Sequence, residues 1–449
     1  MFNPRGVAII GASRKPGKIG HEILKNIIEY GYKGEIYPIN PKADEILGKK
    51  VYKSILEVPG TVDLAIIVIP AKFVAEVLEE CGKKGVKAVA VISSGFGEVG
   101  RHDMEEEIVE ISKKYGMRLL GPNIFGLFYA PTQLNATFGP KDILQGNIAF
   151  ITQSGALGIA LMGWTILENI GLSAIVSVGN KADIDDDDLL EYFSKDEKTK
   201  IILIYMEGVK NGPRFIKIAK EVTKNKPIIV LKAGRSKRGA MAAASHTGSL
   251  AGSDTIYSAA FKQTGILRAM NVAEAFDWAR AIAELPPPEG ENTIIITNGG
   301  GVGVMATDAC EDYNVKLMNL PEDLAQEFRK YMPPFGSVKN PIDLTGQASE
   351  KEFAGALKTA LKDDRIHAVI LLYCQTAITD PNSLADAIIN VIKENGKTKP
   401  LVISMVGGKE CAEAMKKLNL KGLPAYPIPE RAVSSLGAYM KWARYIGKI

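Results

Sequence analysis

The sequence has few of the residues that cross-link, metallate or anchor a protein. Its four cysteines are scattered without CxxC or other metal-type spacing: Cys81, Cys310, Cys374 and Cys411. That usage is typical of a reducing compartment and predicts neither a zinc site nor any other bound metal. No apolar run is long enough to cross a bilayer, and a strand begins almost at residue 1. We therefore expect no signal peptide, no membrane partner and a cytoplasmic location.

Aromatic residues and net charge are also low. Aromatics make up 7% of the chain and the formal net charge is +4, without a dense basic patch interleaved with aromatics. These features do not favour a nucleic-acid partner. What is abundant is ordinary globular composition, with 46% hydrophobic and 24% charged residues over 449 positions. A chain of that length has room for about three domains of common size.

Short β-branched runs alternate with helical patterns along the whole chain. Continuous apolar strands separated by helices predict parallel sheets that are covered on both faces. We therefore predict an α/β fold of three consecutive doubly wound parallel-sheet domains. The predicted strands are 7–10, 35–39, 64–69, 88–92 and 118–120 in the first domain, 148–152, 174–178, 201–205 and 228–231 in the second, and 293–297, 368–372 and 401–405 in the third.

Two Gly/Pro-containing segments mark the predicted domain boundaries. Residues 138–146 separate the first domain from the second, and a triple proline in 285–290 separates the second from the third. Neither a helix interior nor a central strand tolerates such a proline run. The second and third domains also look duplicated, because residues 147–158 align without a gap to 292–303 and five of the twelve positions are identical. The predicted domains are 1–138, 139–286 and 287–449.

The duplicated segments each run from a strand through a small-residue turn into an apolar helix. Unpaired backbone N–H groups and the helix dipole make such a turn an anion site, and small residues let a phosphate approach the backbone. Ordinary βα turns also need glycine, so the pair of turns carries the prediction. Neither is a Walker A loop, because both lack its Gly-Lys-Ser/Thr ending. The predicted phosphate-binding residues are Gln153, Ser154, Gly155 and Ala156, and Asn298, Gly299, Gly300 and Gly301.

His246 is one of four histidines and lies in a segment rich in small residues, 234–249, with three cations before the imidazole. We interpret this segment as a flexible loop. A lone imidazole on such a loop suits a phosphoryl carrier, although an exposed histidine without a role has the same pattern.

Glu207 follows the third predicted strand of the second domain. Ligands of open α/β sheets bind beyond the carboxyl ends of the strands, so Glu207 should converge there with the Gln153 turn and the His246 loop. A carboxylate that accepts the Nδ1 proton of an imidazole leaves Nε2 as the nucleophile. A helix N-terminal charge or a surface ion pair is the alternative for Glu207. The acidic run Asp185–Asp188 reads as a solvated helix start without a metal.

The first domain begins like a dinucleotide-binding fold but departs from GxGxxG, because Gly11-Ala-Ser replaces the first Gly-x-Gly. After the second strand an NAD site has an acidic residue for the ribose, whereas this chain has Asn40-Pro-Lys. A lysine there suits a ribose phosphate, as in NADP or coenzyme A. Small-residue turns after the later strands rim the same crevice. The predicted cofactor-binding residues are Gly11, Ser13, Arg14, Lys15, Gly17, Lys18, Asn40, Pro41, Lys42, Ile69, Pro70, Ser93, Ser94, Gly95 and Asn123.

Together these segments resemble the α subunit of nucleoside-diphosphate-forming acyl-CoA synthetases, of the ADP-forming acetate–CoA ligase type, which are relatives of succinyl-CoA synthetase. The Ser-His-Thr-Gly-Ser motif is highly specific, whereas the single glycine turns are not. The matching motifs occur in order along essentially the whole chain: Gly-Ala-Ser (11–13), Asn-Pro-Lys (40–42), Gly-Pro-Asn (121–123), Thr-Gln-Ser-Gly (152–155), Met-Glu-Gly (206–208), Ser-His-Thr-Gly-Ser (245–249), Asn-Gly-Gly-Gly-Val-Gly (298–303) and Asn-Pro-Ile-Asp-Leu (340–344).

The resemblance implies a Rossmann-like CoA-binding domain followed by two flavodoxin-like ligase domains. It implies that the turns at Gly11–Lys18 and Ser93–Gly95, together with Lys42, bind coenzyme A. His246 would be phosphorylated, with Glu207 orienting its ring. Phosphate would attack the thioester of acyl-CoA to give an acyl phosphate in a double cradle, formed by the two turns 153–156 and 298–301. His246 would pass the phosphoryl group to ADP, yielding carboxylate and ATP.

No stretch of the sequence resembles an ATP-grasp domain. The resemblance therefore implies that ADP or ATP and Mg²⁺ bind a separate β subunit, in a heteromer that is commonly α2β2. The acyl pocket would lie near the Asn123–Phe128 turn. Acetate is the default acyl group, and branched or aryl acids stay open.

Three alternatives make different predictions. A succinate–CoA ligase α subunit would end after two domains, so the third domain argues against it. A non-catalytic CoA-binding or regulatory protein of the same family would not need the intact His246. An NADP-dependent oxidoreductase has only the Asn40–Lys42 turn in its favour.

Overall fold

The computed structural model describes residues 1–247 and 253–449, with the backbone alone described for 243–247. The chain forms two compact units, Met1–Arg268 and Ala269–Ile449. Two large sheets belong to the first unit and one to the second, and each is flanked by helices. The predicted α/β fold class, with three largely parallel sheets in succession, is confirmed.

The first sheet has five parallel strands in the order β2-β1-β5-β6-β7. The strand order reverses between β1 and β5, which places a crevice at their carboxyl ends. The elements of this part are β1 (Gly6–Ile10), α1 (Ile19–Glu29), β2 (Glu35–Ile39), β3 (Glu45–Ile46), β4 (Lys49–Lys50), β5 (Leu64–Ile67), α2 (Val74–Lys84), β6 (Ala88–Val91), α3 (His102–Lys114) and β7 (Arg118–Leu120).

The second sheet has seven strands in the order β14-β13-β12-β10-β11-β8-β9. Strands β10 to β13 run parallel, whereas β8 pairs antiparallel with β11 and β9. The order reverses between β10 and β12. The elements are β8 (Gly126–Tyr129), β9 (Leu134–Thr137), β10 (Gln145–Thr152), α4 (Gly155–Leu167), β11 (Leu172–Ser177), α5 (Asp186–Lys195), β12 (Ile201–Met206), α6 (Gly212–Thr223), β13 (Ile228–Lys232), α7 (Lys237–Thr247), α8 (Asp254–Thr264) and β14 (Leu267–Ala269).

The third sheet has five parallel strands in the order β16-β15-β17-β18-β19, with its reversal between β15 and β17. The elements are α9 (Val272–Glu284), β15 (Thr293–Thr297), α10 (Gly300–Asp312), α11 (Glu322–Arg329), β16 (Ile342–Asp343), α12 (Glu350–Lys362), β17 (Ala368–Cys374), α13 (Pro381–Asn395), β18 (Leu401–Val406), α14 (Lys409–Leu420), β19 (Ala425–Tyr426) and α15 (Pro429–Tyr445).

The central strands are buried on both faces because helices cover both sides of each sheet. Strands such as β5, β11 and β15 have no exposed residue, which explains their continuous apolar sequences. In the first unit, one apolar cluster runs from Val7 and Leu64 of the first sheet to Leu127 and Ile151 of the second. This shared core accounts for the two sheets folding into one unit.

The predicted strands are all present, with ends that differ from the prediction by at most three residues. The strands that were not predicted are β3, β4, β8, β9, β14, β16 and β19. Of these, β8 and β9 lie at the end of the predicted first domain, are separated by Pro131, and extend the second sheet. The predicted boundaries after residues 138 and 286 stay predictions. No helix within 1–247 or 253–449 is both long enough and apolar enough to span a bilayer.

Candidate functional site

The turns at the carboxyl edge of the first sheet are held together by hydrogen bonds between them. The Gly11 N–H donates to the Ile39 carbonyl at 3.1 Å, and Asn40 Nδ2 donates to the Ala12 carbonyl at 2.7 Å. Gly11 has a φ of +95°, and a Cβ there would lie 2.2 Å from the Val68 carbonyl oxygen. Only glycine fits this close approach, so the turn after β1 is fixed against the turn after β5.

The remaining turns join the same rim. Ser93 Oγ donates to the Ile69 carbonyl, and the Asn123 N–H donates to the Ser93 carbonyl at 3.0 Å. The four cations predicted to bind the cofactor are exposed: Arg14, Lys15, Lys18 and Lys42. The fifteen residues predicted from the sequence therefore all follow carboxyl ends of the first sheet, where small turns and exposed cations can accept a phosphate-bearing ligand.

In the second sheet, a buried threonine shapes the turn between β10 and α4. Thr152 Oγ1 accepts the Ser154 N–H at 3.2 Å and donates to the Ser154 carbonyl at 3.0 Å. Ser154 then caps α4, its Oγ accepting the Leu157 N–H at 3.4 Å. A Cβ on Gly155 would meet no atom within 4 Å. Open space therefore lies in front of the first turn of α4, where an anion can approach the backbone N–H groups.

Glu207 follows β12, directly across the strand reversal from the Gln153 turn. Gln153 Oε1 accepts the N–H groups of Glu207 at 2.7 Å and Gly208 at 3.1 Å, which fixes the turn that carries the carboxylate. Glu207 is buried, with 6% of its surface exposed. Burial, followed by the neighbouring charge of Glu207, raises the pKa of Tyr205 to about 12. The burial of Glu207 contradicts an exposed surface ion pair, whereas the helix N-terminal charge stays an alternative.

One cavity of about 790 Å³ connects the edges of the first and second sheets. It brings together a subset of the predicted residues from both domains, together with apolar residues such as Phe125, Ile124 and Ile159. The predicted residues that line it are Ser94, Asn123, Gln153, Ser154, Gly155, Ala156 and Glu207. The other predicted cofactor residues lie along the edge of the first sheet and do not line this cavity.

The third sheet contains a second turn of the same construction. Thr297 Oγ1 accepts the Gly299 N–H at 3.0 Å and donates to the Gly299 carbonyl at 3.1 Å. Asn298 exchanges hydrogen bonds with the backbone of Cys374, at 2.8 and 2.9 Å. A Cβ on Gly301 would meet no atom within 4 Å. Asn298, Gly299, Gly300 and Gly301 thus begin α10 as Gln153–Ala156 begin α4.

The structure changes the expected conformation around His246. Residues Lys237–Thr247 form helix α7, so the prediction of a loop over this stretch is wrong. The run Ala-Met-Ala-Ala-Ala consists of strong helix formers, which outweigh the neighbouring Gly239. The side chain of His246 lies outside the described part of the chain, as do residues 248–252.

The acidic run Asp185–Asp188 does begin a helix, with Asp185 as its N-cap, but it is not solvated. Asp185, Asp186 and Asp187 are 7%, 1% and 3% exposed. Their partners are two cations. Lys181, which lies just before the run, contacts Asp185 and Asp186, and Arg214 of α6 contacts Asp187 at 2.8 Å. In the described chain, no group of three or more His, Cys, Asp or Glu side chains is arranged to hold a metal ion.

Two residues of the site were missed by sequence reasoning. Asn180 and Lys181 follow β11 and line the cavity beside Glu207. Their position directly after the central strand β11 of a doubly wound sheet was the available signal. Because Lys181 is only 2% exposed, its role depends on partners that no sequence pattern reveals.

Three family models match the chain. They are a CoA binding domain over residues 5–129, a succinyl-CoA ligase like flavodoxin domain over 145–282, and a Ligase-CoA domain over 293–449. The matches follow the order predicted from the motifs. A domain that binds coenzyme A therefore occupies the position for which the residues alone left NADP and coenzyme A open.

Two curated relatives differ in length. The chain is 62% identical to the α subunit of ADP-forming acetate–CoA ligase I of Pyrococcus furiosus, over 100% of this chain and 98% of the relative. It is 44% identical to the ADP-forming acetate–CoA ligase of Methanocaldococcus jannaschii, over 98% of this chain but only 62% of that longer relative.

A solved structure has the same fold over its full length. It is the dinucleotide-forming acetyl-coenzyme A synthetase 1 of Ca. Korarchaeum cryptofilum, in complex with phosphate and ADP. It superposes with a TM-score of 0.98 at 54% identity, covering 100% of this chain and 97% of the other. The resemblance inferred from the motifs is confirmed, and the chain belongs to the family of ADP-forming acetate–CoA ligase α subunits.

Proposed function

We propose that this chain is the α subunit of an ADP-forming acyl-CoA synthetase that converts acyl-CoA, phosphate and ADP into carboxylate, CoA and ATP. Acetate is the proposed acyl group, in agreement with the names of the relatives. The observation that carries the proposal is the 790 Å³ cavity that joins turns of the CoA-binding domain to the start of α4 and to Glu207. A thioester and a phosphate can meet in such a cavity.

Coenzyme A would lie along the carboxyl edge of the first sheet. The close packing of Gly11 against Val68 leaves the turn after β1 free of side-chain bulk, and the exposed Lys42 offers a charge to the ribose phosphate. Ser94 and Asn123 connect this edge to the cavity. The thioester end of the ligand would thus enter the cavity, with the acyl group against Ile124 and Phe125.

Phosphate would sit at the start of α4, where helix N–H groups neutralise its charge. A phosphate oxygen attacks the thioester carbonyl, the C–S bond breaks, and CoA leaves as the thiolate. The resulting acyl phosphate is held by Ser154, Gly155 and Ala156, and we propose a second phosphate-binding turn at the matching start of α10, formed by Asn298, Gly299, Gly300 and Gly301. Positioning and charge neutralisation are what phosphoryl transfer mainly requires of a protein.

His246 Nε2 would attack the phosphorus and release the carboxylate. Glu207 would accept the Nδ1 proton of the ring, which raises the nucleophilicity of Nε2 and stabilises the imidazolium form. Glu207 is suited to this role because it is buried in the cavity wall and its turn is fixed by Gln153. The phosphohistidine then gives its phosphoryl group to ADP.

ADP and Mg²⁺ would bind a separate ATP-grasp β subunit in an α2β2 heteromer. Relatives of this length are named α subunits, and the longer single-chain relative has a further third of its length beyond the match. We place the enzyme in the cytoplasm, in agreement with its four unpaired thiols.

The direct test is ATP formation from acetyl-CoA, phosphate and ADP by the chain combined with its partner subunit. His246→Asn should abolish ATP formation, because the phosphoryl carrier is lost. His367→Asn is the matched control, since this histidine only accepts the Asn292 N–H and should leave the rate unchanged. ATP formation by the His246→Asn protein would show that the proposed mechanism is wrong.

A further inference from the structure

The turn Gly179–Lys181, which follows β11, touches both halves of the proposed site. Gly179 has a φ of +51°, and a Cβ there would lie 2.2 Å from the Pro122 carbonyl oxygen. The Asn180 N–H donates to the same carbonyl at 3.0 Å. The turn is therefore packed directly on the end of the first sheet although it belongs to the second.

Asn180 connects this turn to the CoA-binding side. Its Nδ2 donates to Glu98 Oε2 at 2.6 Å and to Glu105 Oε2 at 2.8 Å, and its Oδ1 accepts from Asn123 Nδ2 at 3.3 Å. Glu98 in turn accepts the N–H groups of Gly95 and Phe96. Asn180 thus braces the Ser93–Gly95 turn through Glu98 and contacts Asn123 directly.

Lys181 connects the same turn to the side of Glu207. Its Nζ donates to the Gly208 carbonyl at 2.9 Å and to Asp185 Oδ1 at 2.9 Å, and it also contacts Asp186. The Lys181 carbonyl accepts from Lys210 Nζ at 2.6 Å. Both sides of the turn after Glu207 are therefore tied to one residue.

The ammonium of Lys181 is retained despite its burial. Desolvation lowers its pKa, but the carboxylates of Asp186 and Asp185 outweigh that effect, so the pKa is raised overall. Lys181 also adopts a φ of +56°, a conformation that non-glycine residues rarely take. A buried charge in an uncommon conformation persists where the surrounding contacts determine it.

We propose that Asn180 and Lys181 are positioning residues that hold the two halves of the site in register. Asn180 positions the turn that binds the CoA moiety, and Lys181 positions Glu207 against the phosphohistidine. The proposal rests on the proposed function and adds a division of labour between neighbouring side chains. It predicts different kinetic defects for their loss, which a merely structural role would not produce.

The test compares steady-state kinetics and single-turnover labelling in the complex with the partner subunit. Asn180→Ala should raise the KM for acetyl-CoA about fivefold or more, while the rate at saturation stays within about twofold. Lys181→Met should lower the rate of His246 phosphorylation from acetyl-CoA and [32P]phosphate about tenfold or more, with the KM for acetyl-CoA unchanged. The matched control is Lys226→Met, which removes a lysine bonded to the Phe193 and Asp196 carbonyls away from the cavity.

Loss of Lys181 alone leaves buried carboxylates without a counter-charge and can prevent folding. Lys181→Met combined with Asp186→Asn removes the ammonium together with one of its two buried carboxylates, which leaves only Asp185 without this counter-charge, and Asp186→Asn alone is its reference. If both lysine variants fail to fold, Asn180→Ala still decides, because an unchanged KM for acetyl-CoA overturns the proposal. The proposal is also overturned if the Asn180, Lys181 and Lys226 variants all show the same change in kcat and the same change in KM for acetyl-CoA.

The outcome is separable from failure of the proposed function. A wild-type complex that forms no ATP contradicts the proposed function itself. A wild-type complex that forms ATP, with Asn180 and Lys181 variants that behave like wild type, contradicts only the positioning roles.

Discussion

The second and third sheets contain the same cradle with different neighbours. In both, a buried threonine at the end of the central strand bonds to the second residue that follows it, at 3.0–3.2 Å. In both, an amide side chain, Gln153 or Asn298, then reaches across the strand reversal to the adjacent strand. The duplication detected in twelve sequence positions therefore extends to individual hydrogen bonds.

The difference lies on the adjacent strand. Thr152 pairs with Tyr205 and Thr297 pairs with Leu372, so two residues further along the counterpart of Glu207 is Cys374. One cradle thus has a buried carboxylate beside it, and the other has a thiol. Both turns have the geometry to accept an anion, but only the turn beside Glu207 has a neighbouring carboxylate that can accept a proton from an imidazole.

The largest expected effect comes from replacing Glu207 and Cys374, one at a time. Glu207→Gln should slow phosphorylation of His246 about 100-fold or more, because the neutral amide cannot supply the negative charge that stabilises the imidazolium and fixes the Nδ1–H tautomer. Cys374→Ser should change the same rate by less than about twofold, since a near-isosteric hydroxyl replaces the thiol. Single-turnover labelling with acetyl-CoA and [32P]phosphate measures both, and equal effects would remove the functional distinction between the cradles.

Adding a charge to either helix start tests what the cradles have in common. Gly155→Asp and Gly301→Asp should each raise the KM for phosphate about tenfold, because a carboxylate competes for the N–H groups and repels the anion. A Cβ at either position meets no atom within 4 Å, so Gly155→Ala and Gly301→Ala serve as uncharged controls with near-normal KM. A defect in Gly155→Asp alone would mean that α10 does not bind the phosphate.

Removing the threonine hydroxyls tests whether the shared hydrogen bonds have equal value. Thr152→Val and Thr297→Val should each lower the free energy of unfolding by about 1 kcal/mol, because the partly buried N–H groups of Ser154 and Gly299 lose their acceptor. Thr152→Ser and Thr297→Ser keep the hydroxyl and should recover most of that loss. Urea-induced unfolding, monitored by amide hydrogen exchange in each unit, gives the two changes in unfolding free energy. Clearly unequal changes would show that the two cradles share their geometry but not the stabilising effect of this hydrogen bond.

The smallest expected difference between the two units is in how their stability changes at acidic pH. Arg5 holds the pKa of Asp63 at about 2 in the first unit, and Arg365 lowers the pKa of Asp363 in the second. A carboxyl with a lowered folded-state pKa stabilises the fold above its unfolded value near 3.8 and loses that contribution as the pH falls towards 2. Asp63→Asn should remove this loss from the first unit only, and Asp363→Asn from the second only. Hydrogen exchange between pH 4 and 2 that responds in both units to either variant would contradict this assignment.

Sequence patterns predicted what depends on local chemistry. Every central strand with parallel neighbours was predicted because double coverage by helices requires a continuous apolar run, as in Ile201–Met206. Both cradles were predicted because their turns require small residues at fixed offsets from a strand end. Glu207 was identified by its position after such a strand.

Most of the features that were missed or wrong depend on partners distant in the sequence. The buried Asp187 contacts Arg214 of α6, which no local pattern connects to it, whereas Asp185 contacts Lys181, which lies four residues before it. Strands β8 and β9 form because β11 offers an open edge. Asn180 was overlooked because its partners, Glu98 and Glu105, lie about 80 residues earlier in the chain, at 82 and 75 positions.

The proposed function requires a phosphoryl group to pass through His246 on this chain. In the most direct measurement, the complex is incubated with acetyl-CoA and [32P]phosphate, without nucleotide, and the label is located by peptide mapping. We expect one acid-labile, base-stable phosphoryl group on the peptide containing His246, which ADP then discharges as ATP. ATP formation from the same mixture with no label on His246, or with the label on another residue, would contradict it.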